Sequence, residues 1–276
     1  MLSVNTNSGA MVALQYLNNT NAQLSQVQSA INTGLKVSSA KDDGSTFAIA
    51  QNMRGDVAGY AAVTDSLNSA TSAVDVAMSA GQSISDLLIE MKSKAAAASD
   101  ASLDTASRQA LNEDFQSYAS QITSIVQNAS FNGFNLIDGS TTGGISALAS
   151  ADGTHRITVA SENLSLSGGI ITVGTSASIS TQSSASAMIA TVETSLTAVD
   201  SALAKLSSGA KKFSIQSTFV SQLSDTLTSG IGNLVDADMA SESAMLTSLQ
   251  TKQQLGVQAL SIANQAPSIA LSLFQG

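Results

Sequence analysis

The chain holds one imidazole, His155, set between Thr154 and Arg156. A base or a metal ligand needs a nucleophile, an orienting carboxylate or a second donor at a workable spacing, and His155 has none. It reads as a solvated loop histidine beside Asp152-Gly153. The other groups that could do chemistry are two acidic clusters, Lys41-Asp42-Asp43 and Asp236-Ala237-Asp238. Neither carries the central glycine and distal glutamate of a calcium loop, so their carboxylates read as helix caps or hydrogen-bond acceptors. Cysteine is absent, which excludes a thiol nucleophile, a thiolate metal site and disulfides together. No Gly-Lys-Ser/Thr phosphate loop and no dinucleotide glycine fingerprint follows a strand pattern. The expectation is a chain with no catalytic, cofactor-binding or metal-ligating set, and hence not an enzyme.

The elements that such residues would sit on are more informative than the residues. Apolar residues make up 43% of 276, enough for a core, yet only 4% are aromatic and none is Trp. A core of Ala, Leu, Val and Ile suits helices packed closely along their length. One proline, Pro267, leaves nearly the whole chain free to be helical. Charged residues are 11% and the net charge is −9, so a phosphate backbone would be repelled and nucleic acid is not an expected partner. No run of about 18 apolar residues marks a membrane span, and no Sec-type signal is read at the start. A protein of this kind working outside the cell needs another export route.

Apolar residues recur at alternating spacings of three and four, the mark of a helical seam. One seam runs Ala10, Leu14, Leu17, Asn21, Leu24, Gln28, Ile31, Leu35, with two amides in it. A second runs Leu67, Ala70, Val74, Ala77, Gly81, Ile84, Leu88, Met91, and a third Leu111, Phe115, Tyr118, Ile122, Ile125, Ala129, after a loop around Ser99 to Thr105. The longest begins at Ile189 and passes through Val199, Leu206, Phe213 and Val220 to Leu234. At ~1.5 Å rise per residue it predicts a helix roughly 70 Å long, too long for a compact globule. From Phe131 to Gln182 the pattern turns to short alternating stretches, Arg156-Ile157-Thr158-Val159 and Ile170-Ile171-Thr172-Val173, which read as strands with turns at Asp152-Gly153 and Gly168-Gly169. The closing segment carries a seam through Met239, Glu242, Leu246, Leu249, Gln253, Gly256, Leu260 and Ala263, and then the tail Ile269 to Phe274. The expected fold class is mainly α: a long antiparallel helical rod with coiled-coil terminal helices and a small β-hairpin element.

Asn21, Gln28, Gln253 and Gly256 weaken these terminal seams, because unpaired amides cost free energy and glycine lowers helix propensity. Neighbouring molecules are the expected source of the missing contacts. The candidate assembly residues are Leu14, Leu17, Asn21, Leu24, Gln28, Ile31, Leu246, Leu249, Gln253, Leu260, Leu273 and Phe274.

Several strings carry a family resemblance. Ser3-Val4-Asn5-Thr6-Asn7, then Thr33 through Asp43, then Phe47-Ala48-Ile49-Ala50 resemble the N-terminal signature of bacterial flagellins. Phe131-Asn132-Gly133-Phe134-Asn135-Leu136-Ile137-Asp138-Gly139 is similar to the string closing that family's N-terminal helical region. Val235 through Ser243 and Ala263 through Leu273 resemble its C-terminal signature. The chain departs from the usual pattern at Ser207 through Phe213 and in its scarcity of arginine, features similar to short alphaproteobacterial flagellins. The resemblance implies a terminal helical domain of residues 1–41 with 235–276 lining a filament core, and a rod domain of 42–234 with a β element at about 131–182. It implies a secreted, extracellular structural subunit that polymerises with other flagellin subunits for motility and needs no cofactor. The implied partners also include the flagellar type III export apparatus, an export chaperone, the filament cap and hook-junction proteins, without membrane insertion. The alternatives are a hook–filament junction protein and, from another class, a coiled-coil adaptor.

Overall fold

The computed structural model describes residues 6–273, with side chains over 6–265. Among them are five helices and four short strands: α1 (Ser8–Thr33), α2 (Gly44–Ala98), α3 (Thr105–Asn128), β1 (Ser130–Phe131), β2 (Phe134–Asn135), β3 (Ile145–Leu148), β4 (Arg156–Val159), α4 (Gln182–Val235) and α5 (Met239–Leu273). The fold is mainly α. The chain divides into two compact units: residues through Gly55 with those from Thr226 onward, and Asp56–Asp225. Both divisions fall inside helices, α2 and α4.

The unit Asp56–Asp225 contains the main core. All eight α2 seam residues from Leu67 to Met91 are buried, as are Phe115 and Ile122 on α3 and Val192, Val199, Leu206, Phe213 and Val220 on α4. Ser85 Oγ donates to Asp200 at 3.5 Å and Lys92 Nζ pairs with Glu193 at 3.4 Å, while Gly81 abuts Leu203. These contacts set α2 and α4 antiparallel in one register. α2 stops where its last carbonyls find a new donor: Arg108, from the first turn of α3, donates Nε to Ala98 O and Nη2 to Asp100 O, each at 2.8 Å. Asp104 caps α3 by accepting from Ser107 N at 3.1 Å, filling one of the donors that a helix start leaves open. Many helical Ser and Thr hydroxyls, such as Thr71 and Thr194, donate to the carbonyl one turn back, which satisfies the hydroxyl within its own helix.

The string Phe131 to Gly139 has a local physical basis. Asn132 and Gly133 adopt φ of 49° and 81° and make the tight turn between antiparallel β1 and β2. Asn135 is buried. Its Nδ2 donates to Val126 O, a carbonyl in the last turn of α3, at 2.7 Å, and its Oδ1 accepts from Ile137 N and Asp138 N. One amide thus ends a helix and shapes the next turn. Asn112, inside α3, holds a distant loop instead, its Oδ1 accepting from Ile179 N at 2.7 Å and Ser178 Oγ at 2.8 Å.

β3 and β4 form the expected antiparallel hairpin, registered Ile145 to Val159 and Leu148 to Arg156. Its closure is a loop from Ala149 to His155 with Gly153 at φ 71°. His155 belongs to that loop, its carbonyl accepting from Ala149 N at 2.9 Å. The stretch Ile170 to Val173 is not a strand, contrary to the sequence expectation. Ile171 and Val173 are buried, as alternation required, but Thr172 N donates to Ser195 Oγ on α4 at 3.0 Å, and only a single bridge joins Ile171 to Leu166. Alternation marks a half-buried extended segment, and here a helix hydroxyl takes the hydrogen bond that a partner strand would have taken.

The hairpin lies close on the helices where side chains are missing. A Cβ on Gly209 would come within 2.5 Å of Val159 Cγ1, and one on Gly59 within 2.7 Å of Ala151 Cβ. Gly209→Leu is expected to destabilise this unit by about 1–3 kcal/mol through overpacking, despite leucine's better helix propensity; urea denaturation of the monomer measures it.

Candidate assembly interface

The unit formed by the chain ends is built around α1 and α5. Asn7 starts α1: its Oδ1 accepts from Ala10 N at 3.0 Å while its Nδ2 donates to Ala263 O on α5 at 2.6 Å. Gly34 ends α1 in the left-handed region, φ 72°, with its N–H on Ala30 O. The chain then pairs with the segment leading into α5. Lys36 N donates to Val235 O at 2.8 Å and Ala237 N to Gly34 O at 2.9 Å. A small core of Val37, Ala50 and Val235, with Phe47 and Ile231 against it, lies beneath.

The acidic clusters are used as hydrogen-bond acceptors. Asp42 Oδ2 accepts from the backbone N–H and hydroxyl of both Ser38 and Ser39. The Ser38 hydroxyl foremost, with the Ser39 N–H next, holds that carboxyl below the usual range. Asp43 opens α2, accepting from Ser45 N, Thr46 N and the Thr46 hydroxyl, and the Thr46 hydroxyl foremost lowers it in the same way. Asp238 opens α5 by accepting from Ala240 N and Ser241 N. These carboxylates tie turns, and the described residues hold no group of three metal-ligating side chains.

The inward positions of α5 are Glu242, Leu246, Leu249, Gln253, Gly256, Leu260 and Ala263, the expected seam without Met239. On α1 they are Ala10, Ala13, Leu17, Thr20, Leu24, Val27, Ala30 and Ile31, so three of the eight expected seam positions are corrected: Ala13, Thr20 and Val27 stand in place of Leu14, Asn21 and Gln28. Both lines share every seventh residue, and size decides between them. Leu246, Leu249 and Leu260 of α5 fill the seam and leave room opposite for small side chains. A Cβ on Gly256 would already reach within 3.3 Å of Leu17 Cδ1. The displaced amide still has a partner in the same chain, since Gln253 Nε2 donates to Asn21 Oδ1 at 2.8 Å.

Of the candidate assembly residues, Leu17, Leu24, Ile31, Leu246, Leu249, Gln253 and Leu260 therefore turn toward the partner helix of their own chain. Leu14, Asn21 and Gln28 are exposed. Phe274 and the side chain of Leu273 lie outside the described residues, as do Ser3 to Asn5. Sequence reasoning missed a second apolar surface. Met11, Val12 and Tyr16 on α1 and Met245, Leu255, Val257 and Ile262 on α5 are all exposed, Tyr16 and Ile262 at 70%. The signal that could have found it is charge. No charged residue occurs from Ser8 to Thr33, and only Glu242 and Lys252 occur from Met239 to Leu273. Apolar exposure with charge depletion marks the centre of a protein interface. A groove of about 640 Å³, lined by Gln26, Val27, Ala30, Met245, Ser248 and Leu249 among others, opens between the helices.

The bacterial flagellin N-terminal helical region matches residues 4–142, and the bacterial flagellin C-terminal helical region matches 189–274. The chain belongs to the flagellin family. It is 52% identical to flagellin FljM of Caulobacter vibrioides over 99% of this chain and 98% of that one, and 37% identical to a flagellin of Brucella melitensis over the whole of both. A putative flagellar hook-associated protein from Vibrio parahaemolyticus shares the fold at TM-score 0.59 and 13% identity, covering 71% of this chain and 100% of that one. The two flagellin matches contain α1 and α5 and leave out residues 143–188, where the β3–β4 hairpin lies.

Leu249, 3% exposed, is the most enclosed α5 side chain described. Leu249→Asp places an unpaired carboxylate in the seam, and the expected result is separation of α1 from α5 at a cost of several kcal/mol. The slight protection from hydrogen exchange that the pair gives both helices in the monomer should then disappear, while α3 stays slow.

Proposed function

We infer that this flagellin is a structural subunit that polymerises with copies of itself into the bacterial flagellar filament. The observation that carries the reading is the outward surface of the α1–α5 pair, apolar, rich in amides and nearly without charge. Within the chain, α1 buries only Val27 and Ala30, too little to hold a helix pair firmly in water. Copies placed side by side would bury Tyr16, Leu255, Val257 and Ile262 and add the missing stabilisation.

A filament subunit needs no covalent chemistry, and the carboxylates of Asp42, Asp43 and Asp238 serve as caps and turn ties. No helix among the described residues is long and apolar enough to cross a membrane. We place the chain outside the cell, exported through the flagellar type III apparatus, with an export chaperone, the filament cap and hook-junction proteins as its partners on the way. What supports this is the thin burial of the terminal pair, which resists threading little, together with a chain free of disulfides.

Leu255→Asp tests the reading at an outward position. Monomer stability should change by no more than about 0.5 kcal/mol, as at an exposed site, while electron microscopy finds no filaments under conditions where the unaltered chain forms them. Normal filaments from this variant would remove the outward surface from the account.

A further inference from the structure

Charge in the unit Asp56–Asp225 is segregated by sign between one stretch of α2 and one of α4. From Gly55 to Met91 on α2 the only charged residues are Asp56, Asp65, Asp75, Asp86 and Glu90; from Ser201 to Ser224 on α4 they are Lys205, Lys211 and Lys212. No ion pair among the described residues joins the two stretches: Lys205 pairs with Glu162, and Lys92 and Lys94 pair with Glu193 and Asp114. Asp86, Glu90, Lys211 and Lys212 are in no ion pair there, although Lys94, one turn on, feels the charge of Glu90 and Asp86 accepts from Gln82 Nε2 at 3.5 Å.

Each unpaired set surrounds an exposed apolar side chain. On α2, Ile89 is 51% exposed and stands within one helical turn of Asp86 and Glu90. On α4, Ile215 and Phe219 are 62% and 54% exposed. Lys211, Ile215 and Phe219 follow at steps of four residues and so form one stripe, with Lys212 at its edge. The antiparallel register given by Ser85–Asp200 and Lys92–Glu193 sets Phe219 abreast of Ser66. That level is about 23 residues, or roughly 35 Å, along α2 from Ile89. The acidic-apolar and basic-apolar patches therefore lie at different levels of the same unit.

We propose that these two patches dock on each other between successive copies of the chain, Lys211 and Lys212 against Asp86 and Glu90, with Ile215 and Phe219 against Ile89. Unlike surfaces on one subunit make a heterologous contact. A contact of that kind between copies displaced along the helix direction repeats without closing, which is how an open polymer propagates. Opposite charge around an apolar centre steers the encounter and fixes its register. The inference rests on the filament reading and names a second contact for it, separate from the terminal helices.

The test is a charge exchange in the full chain, read as the critical concentration for polymerisation and the melting of the monomer. Lys211→Glu with Lys212→Glu, and separately Asp86→Lys with Glu90→Lys, should each raise the critical concentration by about tenfold or more, since like charges then face each other. All four changes together should return it to within about threefold of the unaltered chain, because the attraction is restored with its sign exchanged. Monomer melting should be the same in all four proteins. Normal polymerisation of both pairwise variants would overturn the proposal, as would a fourfold variant no better than the worse pair. So would a loss of monomer stability in each pair that the fourfold variant repairs with no change in assembly, since the charges would then act within the chain. If the unaltered chain forms no polymer, the filament reading falls and takes this proposal with it.

Discussion

An apolar helix face must be covered, and each terminal helix of this chain has two such faces but only one partner. The seam of α5 is covered by α1. The other apolar side chains, with Tyr16 on one helix and Leu255 and Ile262 on the other, are left exposed by the described residues. The free energy of covering them comes only from another molecule, and the scarcity of charge removes the hydration that would make their exposure tolerable. Polymerisation follows from this imbalance, with no ligand, metal or reaction required.

The unit Asp56–Asp225 is arranged in the opposite way. Its core is continuous from Val63 to Val220, and its loops are tied to helices by buried side-chain hydrogen bonds. Asn135 and Asn112 matter because each satisfies backbone groups that a helix end or a buried loop would otherwise leave open. The glycines at 59, 81 and 209 let the hairpin and the neighbouring helix approach closely. A well-packed body beside sparsely buried ends is a sensible division for a polymer. The body holds its shape alone, while the ends are completed in the assembly.

Much of this was legible in the residues. The seams of α2, α3 and α5 were readable because their large apolar residues recur at spacings of three and four, and the hairpin at Asp152-Gly153 because glycine there supplies a positive φ. The α1 seam was partly legible. Its two possible lines share Leu17, Leu24 and Ile31, and the larger residue, Leu14, points out while Ala13 points in, since the space is set by α5 and not by α1. Ile170 to Val173 alternated like a strand, but its hydrogen-bond partner was a serine on a helix. The roles of Asn112 and Asn135 were not legible, because such bonds depend on where a distant or turning backbone passes, which no spacing rule records.

Hydrogen exchange on monomer and polymer, compared residue by residue, tests the central claim most directly. The account predicts that α1 and α5 amides exchange readily in the monomer and become slow in the filament, while α3 and the buried stretch of α2 are slow in both. Terminal helices equally protected in both states would contradict it, because their outward faces would then gain nothing from neighbouring copies.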